Sequence, residues 1–246
     1  MVKYEWEDIL KKAYKKNIDK NNLSCEKKQK FNLKNLIDII GFDITEENWV
    51  INSNLVLEKY VKRKVKNVLE LGSGSGAWLM PFYKKGIIVS GIEQNSDLVN
   101  YSKIALPKGT FYQKKAQEKI HELNNKFDLI LCNSVFQYLS NYEELEKVIK
   151  NIAYYMKEEG VCCLTDLFLD VEKKNYDEFR IKELKISKKS YNKKYNQSIK
   201  HLYLNNEKVN NILKNNKLSG EWYKNVFVGY PHGKFRYDLI IKKVQK

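Results

Sequence analysis

Three glycines stand at alternate positions in Glu70-Leu71-Gly72-Ser73-Gly74-Ser75-Gly76, directly after the apolar residues Val68 and Leu69. A second acid, Glu93, closes another apolar run about twenty residues on. Glycines in this pattern let the backbone turn sharply and lie close to a ligand. The spacing differs from the dinucleotide fingerprint G-x-G-x-x-G, and no lysine follows Gly76 as a phosphate-gripping loop requires. Glu70 repels a phosphate and can hold an ammonium group. The ligand chemistry that fits is an amino-acid end joined to a ribose, with no phosphate.

These residues need strands to deliver them to one edge. From Lys66 onward the pattern alternates between strand and helix, which implies a parallel sheet with helices on both faces. The expected strands are Asn67 to Leu71, Ile87 to Glu93, Thr110 to Gln113, Phe127 to Asn133 and Val161 to Thr165. Glu221 to Gly229 and Phe235 to Lys243 form a final pair around Tyr230-Pro231-His232-Gly233-Lys234. Helices are expected from Gly76 to Lys84, from Ser96, and through Met156 behind a Ser140/Glu143 capping box. Asn205 caps a further helix through Leu213. Residues 1–62 read as a helical cap, with apolar faces at Tyr4, Ile9, Leu10 and Tyr14, at Phe31, Leu33, Leu36, Ile37 and Ile40, and along Val50 to Val61. Residues 63–246 are the sheet domain, with an insertion over about 171–204. Ligands of open α/β sheets bind outside the carboxyl ends of the strands.

The glycine loop, the spaced acid, Phe127-Asp128-Leu129-Ile130 and Tyr154-Tyr155-Met156-Lys157-Glu158-Glu159-Gly160, in that order, resemble the class I S-adenosylmethionine-dependent methyltransferases. The resemblance runs from about Val65 to Lys243. It implies a Rossmann-like, mostly parallel seven-stranded sheet with the last strand antiparallel, and S-adenosylmethionine as cofactor. Glu70, Gly72, Ser73, Gly74, Gly76, Glu93, Gln94, Ala116, Gln117 and Asn133 are the implied cofactor residues, with Glu93 accepting from both ribose hydroxyls. Lys115-Ala116 stands where many relatives carry Asp-Ala, so the adenine amino group falls to Gln117 or a backbone carbonyl. Asn133 and Asp166 stand where metal-dependent relatives carry acids. One amide and one carboxylate make a poor divalent site, so no metal is expected.

Methyl transfer is an in-line attack on an activated methyl group, so the protein mainly positions its reactants. A hydroxyl acceptor benefits from a base, whereas a phosphate or carboxylate oxygen needs only charge pairing and alignment. His232, in the turn before an antiparallel last strand that the resemblance brings to the ligand face, is the first candidate base. His201, at the end of the insertion, is the second. Tyr138, standing where many relatives have a histidine, and Asp166 are candidates to orient the acceptor. His121 reads as a surface residue.

The net charge of +15 invites a nucleic-acid reading, yet only Arg63, Arg180 and Arg236 of the 45 basic residues are arginine. Readers of bases and phosphates favour arginine, and a lysine-rich, asparagine-rich chain is what A/T-rich codons produce. The run from Leu184 to Asn206 lacks acids and interleaves Lys185, Lys188, Lys189, Lys193, Lys194 and Lys200 with Tyr191, Tyr195 and Tyr203. It suits a lid over an anionic small molecule, such as a sugar phosphate, a nucleotide-linked sugar or a surface-glycan precursor of bacterial type. RNA or protein as the acceptor is the alternative. No [DNS]-P-P-[YFW] motif and no Pro-Cys pair is present, which sets aside base-amino and cytosine-C5 methylation. No apolar run reaches membrane-spanning length, the N-terminal stretch is too charged for a secretion signal, and Cys25, Cys132, Cys162 and Cys163 lack metal-ligand spacing. A cytoplasmic protein is expected.

Overall fold

The computed structural model describes residues 6–21, 31–61, 63–198 and 201–244. Tyr4, Cys25 and Lys200 lie outside these residues. Seven strands form one sheet in the order β3-β2-β1-β4-β5-β7-β6: β1 Asn67–Leu71, β2 Ile88–Glu93, β3 Thr110–Gln113, β4 Phe127–Asn133, β5 Met156–Phe168, β6 Leu218–Lys224 and β7 Arg236–Lys243. The first five pair in parallel, and β7 is antiparallel to both β5 and β6. The chain winds outward from β1 to β3, then returns to β4 on the other side of β1. The order therefore reverses between β1 and β4, and a crevice opens there at the carboxyl ends.

Val68, Leu69 and Leu71 in β1 and Leu129, Ile130 and Leu131 in β4 are almost wholly buried, because the sheet is covered on both faces. Each such side chain contributes about 1.5–3 kcal/mol by leaving water. One face carries α1 Trp6–Lys20, α2 Leu33–Ile40 and α3 Glu46–Leu55, packed with α4 Met80–Lys84 and α5 Ser96–Ala105. The other carries α6 Tyr142–Tyr155 and α9 Asn206–Asn215. Between β5 and α9 the insertion folds as α7 Lys173–Leu184, the short α8 Lys188–Tyr191 and a wide turn Asn192–Ser198. No described helix is long and apolar enough to cross a membrane.

Four boundaries depart from the sequence reading. α4 begins at Met80 rather than Gly76 because Pro81, lacking an N–H, is accommodated only in the first helical turn. The cap of α6 is Asn141, whose side chain accepts from the Glu144 N–H, while Glu144 reaches back to the Ser140 N–H. Asparagine and serine are comparable N-caps, and here the cap stands one residue further along. β5 starts five residues early, at Met156, through a register shift against β4 between Phe127 and Leu129. β6 ends at Lys224 instead of Gly229. There the Asn52 side chain accepts from Val228 N–H at 2.7 Å and donates to its carbonyl at 3.1 Å. One buried amide thus pulls the end of this run off the sheet and onto α3.

Candidate active site

β1 delivers Glu70 to the crevice, and the glycine loop folds back over the end of β2. The N–H groups of Gly72 and Ser73 both donate to the Ile92 carbonyl, at 2.8 and 3.0 Å. The Gly74 N–H then donates to Glu93 Oε2 at 3.0 Å, and the Asn95 N–H to Oε1 at 2.8 Å. Gly72 has φ of +69°, and a Cβ there would stand 2.4 Å from Val135 Cγ2. A side chain at either requirement fails: the left-handed backbone and the close approach both need glycine. Gly76, at φ +80°, instead faces Leu106 and Ser102, where a Cβ would meet Leu106 Cδ1 at 2.8 Å. It lies outside the cavity wall and serves the packing of α5 against the loop.

A cavity of about 810 Å³ occupies the crevice. Glu70, Gly72, Ser73, Gly74, Glu93, Gln94, Ala116, Gln117, Asn133, Tyr138 and His201 all line it. Glu70 Oε2 is buried and has no hydrogen-bond partner. Burial, with the nearby Glu93 charge, pushes its carboxyl well above the ordinary range. Burial also raises Glu93, while the amides of Asn95, Gly74 and Gln94 pull it down. A carboxylate has about four acceptor positions, so Glu93 keeps acceptor capacity for a ribose hydroxyl. Asn133 Oδ1 accepts from Thr165 at 2.8 Å, which turns its amide nitrogen away from that bond.

Beyond Asn133 the wall is made by Ser134, Val135, Tyr138, His201 and Leu202, and by Tyr14, Ile40, Phe42, Trp49 and Trp78. Tyr14 reaches this space from α1, close enough to Glu93 and Tyr138 for both to raise its phenol. Trp49 donates to the Ala77 carbonyl at 2.9 Å and packs edge-on against Trp78, which fastens α3 to the glycine loop. The Leu202 N–H donates to the Gln137 carbonyl at 2.9 Å, seating the end of the insertion on the cavity rim. His201 stacks on Phe168 with ring centres 4.9 Å apart and lies 5.8 Å from Tyr138. Burial and the positive charges of Arg236 and Arg180 hold its imidazole down at about 4.

Asp166 sits behind this wall rather than on it. Its carboxylate pairs with Arg236 Nε at 3.1 Å and accepts from the Tyr230 hydroxyl at 3.0 Å and from Ser134. The Arg236 guanidinium lies between the rings of Phe168 and Tyr176, 3.5 and 3.9 Å from their centres. His232 also lies outside the cavity lining, so the expectation that its turn overhangs the acceptor space does not match its position. It is held among Tyr176, Phe179 and Tyr230, with Nε2 3.9 Å from Glu183. Two of these rings, Tyr176 and Phe179, come from α7 in the insertion. Glu144, Tyr14, Trp49 and Arg236 were not singled out from the sequence. Glu144 and Arg236 sit far along the chain from the glycine loop, and only the apolar spacing of the cap hinted at Tyr14. Among the described residues no group of three His, Cys, Asp or Glu is placed to hold a metal ion.

A mostly parallel sheet with this strand order, a glycine cradle and two buried acids at its carboxyl edge has the layout of a nucleoside-binding α/β protein. The chain belongs to the methyltransferase domain family, whose model matches residues 25–222. It is 32% identical over 110 residues to a malonyl-[acyl-carrier protein] O-methyltransferase of Calditerrivibrio nitroreducens. That stretch covers 45% of this chain and 42% of the relative, less than half the length of either. A solved structure from Pyrococcus horikoshii is similar at 16% identity and a TM-score of 0.61, covering 80% of this chain and 90% of that one. An S-adenosylmethionine-dependent methyltransferase from Clostridium acetobutylicum is similar at 15% identity and a TM-score of 0.58, covering 82% and 94%. These two show the shared fold.

The cofactor of this family is S-adenosylmethionine, and the residues present fit it. The unpartnered Glu70 oxygen suits its ammonium, and the remaining acceptor capacity of Glu93 suits its ribose. Bound there, it supplies a methyl group on a positively charged sulfur.

Proposed function

We propose that this chain transfers a methyl group to an oxygen of a small anionic molecule, with residues 1–62 and the 171–204 insertion closing over it. The observation that carries this reading is the composition of the wall beyond Asn133. Among the described residues it presents phenols, a hydroxyl, aromatic rings and an imidazole held neutral, while the three carboxylates of the cavity, Glu70, Glu93 and Glu144, stand elsewhere on its wall. An oxygen that is already ionised loses no proton on attack, so it needs only positioning and charge balance. Lys11 on the cavity wall and the overall charge of +15 favour an anionic guest. The likeness to a protein named as an O-methyltransferase supports oxygen as the accepting atom. Tyr138 and His201 orient the acceptor. The three described cysteines are buried and free, in keeping with a reducing, cytoplasmic setting.

The test is incubation with methyl-labelled S-adenosylmethionine and a size-fractionated cell extract. Label in the small-molecule fraction, retained on an anion exchanger before methylation and lost from it afterwards, is the expected result. Label confined to RNA or protein would replace this reading with a macromolecular acceptor held by the Lys/Tyr-rich insertion.

A further inference from the structure

S-adenosylmethionine carries three groups of hydrogen-bond donors: an ammonium, a pair of ribose hydroxyls and the adenine amino group. Among the described residues three carboxylates line the cavity, Glu70, Glu93 and Glu144, each from a different element. Glu70 and Glu93 suit the first two. From Glu93 the wall continues across the register pair Glu93–Gln113 to the end of β3, where Lys114, Lys115, Ala116 and Gln117 line it. It then reaches Ser140 and Glu144 at the start of α6. A base attached to a ribose held at Glu93, on the side away from Glu70, comes to this corner.

The Lys115 side chain offers only donors and cannot accept from an amino group, and its carbonyl already accepts from the Glu118 N–H at 3.0 Å. The adjacent acid, Glu118, accepts from the Lys115 N–H at 2.9 Å and does not line the cavity. Ala116 directs its carbonyl to Asn151, which donates at 2.9 Å. Glu144 remains, and it is held in place. Its Oε2 accepts from the Ser140 N–H at 2.8 Å and from Gln117 Nε2 at 3.2 Å. The second bond fixes the Gln117 amide with its nitrogen toward Glu144 and leaves its oxygen as a further acceptor.

We propose that Glu144, braced by Gln117, is the acceptor for the adenine amino group. A carboxylate supplied by α6 thus replaces the acid missing at Lys115, and it sets the selectivity of the cavity for adenine over bases bearing an oxygen at the same position. The proposal concerns cofactor recognition and stands apart from the identity of the methyl acceptor.

The test compares binding of S-adenosylhomocysteine and S-inosylhomocysteine by titration calorimetry, with no acceptor present. In the second the adenine amino group is replaced by a carbonyl oxygen and the neighbouring N1 carries a hydrogen. The wild type is expected to prefer the adenosyl compound by about tenfold or more, because the inosyl oxygen faces a carboxylate. Glu144→Ala is expected to bring the ratio close to one. Glu144→Gln, whose amide can donate to the inosyl oxygen, is expected to erase or invert it. The ratio within one variant cancels any general loosening of α6. An unchanged ratio in both variants would overturn the proposal, as would a wild type that does not discriminate. Failure of the wild type to bind either compound would overturn it together with the cofactor assignment.

Discussion

Ser134, just past the end of β4, and Asp166, within the neighbouring β5, both have left-handed backbone, φ of 57° and 60°, and their side chains are hydrogen-bonded to each other. Asp166 falls in the register irregularity between Leu164 and Leu167, where β5 skips a pairing with β7. The bulge turns Asp166 inward onto Arg236. Positive φ at two non-glycine residues costs stability and persists only where surroundings enforce it. Here the enforcement is the buried ion pair.

Removing one member of that pair strands the other. Burial pushes the Asp166 carboxyl up, and Arg236, Ser134 and Tyr230 act against it. Arg236→Met is expected to lower unfolding free energy by about 3–5 kcal/mol. Arg236→Met with Asp166→Asn is expected to recover most of that loss, since neither charge is then left alone. Urea titration of the two variants checks this. Equal losses in both would mean that the guanidinium acts by packing between Phe168 and Tyr176 and not by its charge.

Glu70 has a raised carboxyl and an empty acceptor oxygen. An ammonium brought to it stabilises the ionised form, so the bound state holds fewer protons than the free state. Cofactor binding is therefore expected to release up to about one proton, and affinity is expected to rise with pH. Calorimetry in buffers of different ionisation heat measures the release. Glu70→Gln should remove it; a release that persists in this variant would assign the proton elsewhere.

Gly72 and Gly76 separate cofactor contact from packing. Gly72→Ala places a methyl group against Val135 at the cavity wall, and Gly76→Ala places one against Leu106 away from it. Both are expected to cost about 1–3 kcal/mol through left-handed backbone and crowding. Only Gly72→Ala is expected to weaken cofactor affinity further when measured on the folded fraction. Thermal melts and binding titrations on the same samples give the comparison.

His201 carries a pH signature of defined sign. Its imidazole is held at about 4 in the folded chain against 6.5 when unconstrained. Between those values the unfolded chain binds a proton there that the folded chain does not, so acidification through this window removes stability. Asp238 tilts the other way: burial pushes it from 3.8 to about 6, and its contribution is lost as pH rises through that value. The quantity to measure is thus the difference between wild type and His201→Phe, which keeps the ring on Phe168. The wild type is expected to lose more stability than the variant from pH 6.5 to pH 4. Parallel pH curves would show that His201 is not held neutral.

The two remaining candidates divide by position. Tyr138 lines the cavity, and His232 does not. Tyr138→Phe is expected to lower kcat about tenfold with cofactor affinity unchanged. His232→Ala is expected to leave kcat within about twofold. A large loss in the second with a normal melt would bring the base role back to His232 and count against an already ionised acceptor.

The glycine loop, Glu93 and the positions of most strands were legible because they rest on local chemistry. Left-handed turns demand glycine within a few residues, burial on both faces demands continuous apolar runs, and the acid about twenty residues on follows from the length of one strand–helix–strand unit. Leu69, Gly74 and Glu93 could thus be read without knowledge of the rest of the chain. The tertiary structure alone decided which distant side chains share the cavity. Glu144 meets Gln117 because α6 docks beside the end of β3, and Tyr14 meets Tyr138 because α1 crosses the crevice. His232 packs instead against Tyr176 and Phe179 of α7. Such contacts are fixed by the packing of surfaces far apart in sequence, and no spacing within the chain encodes them.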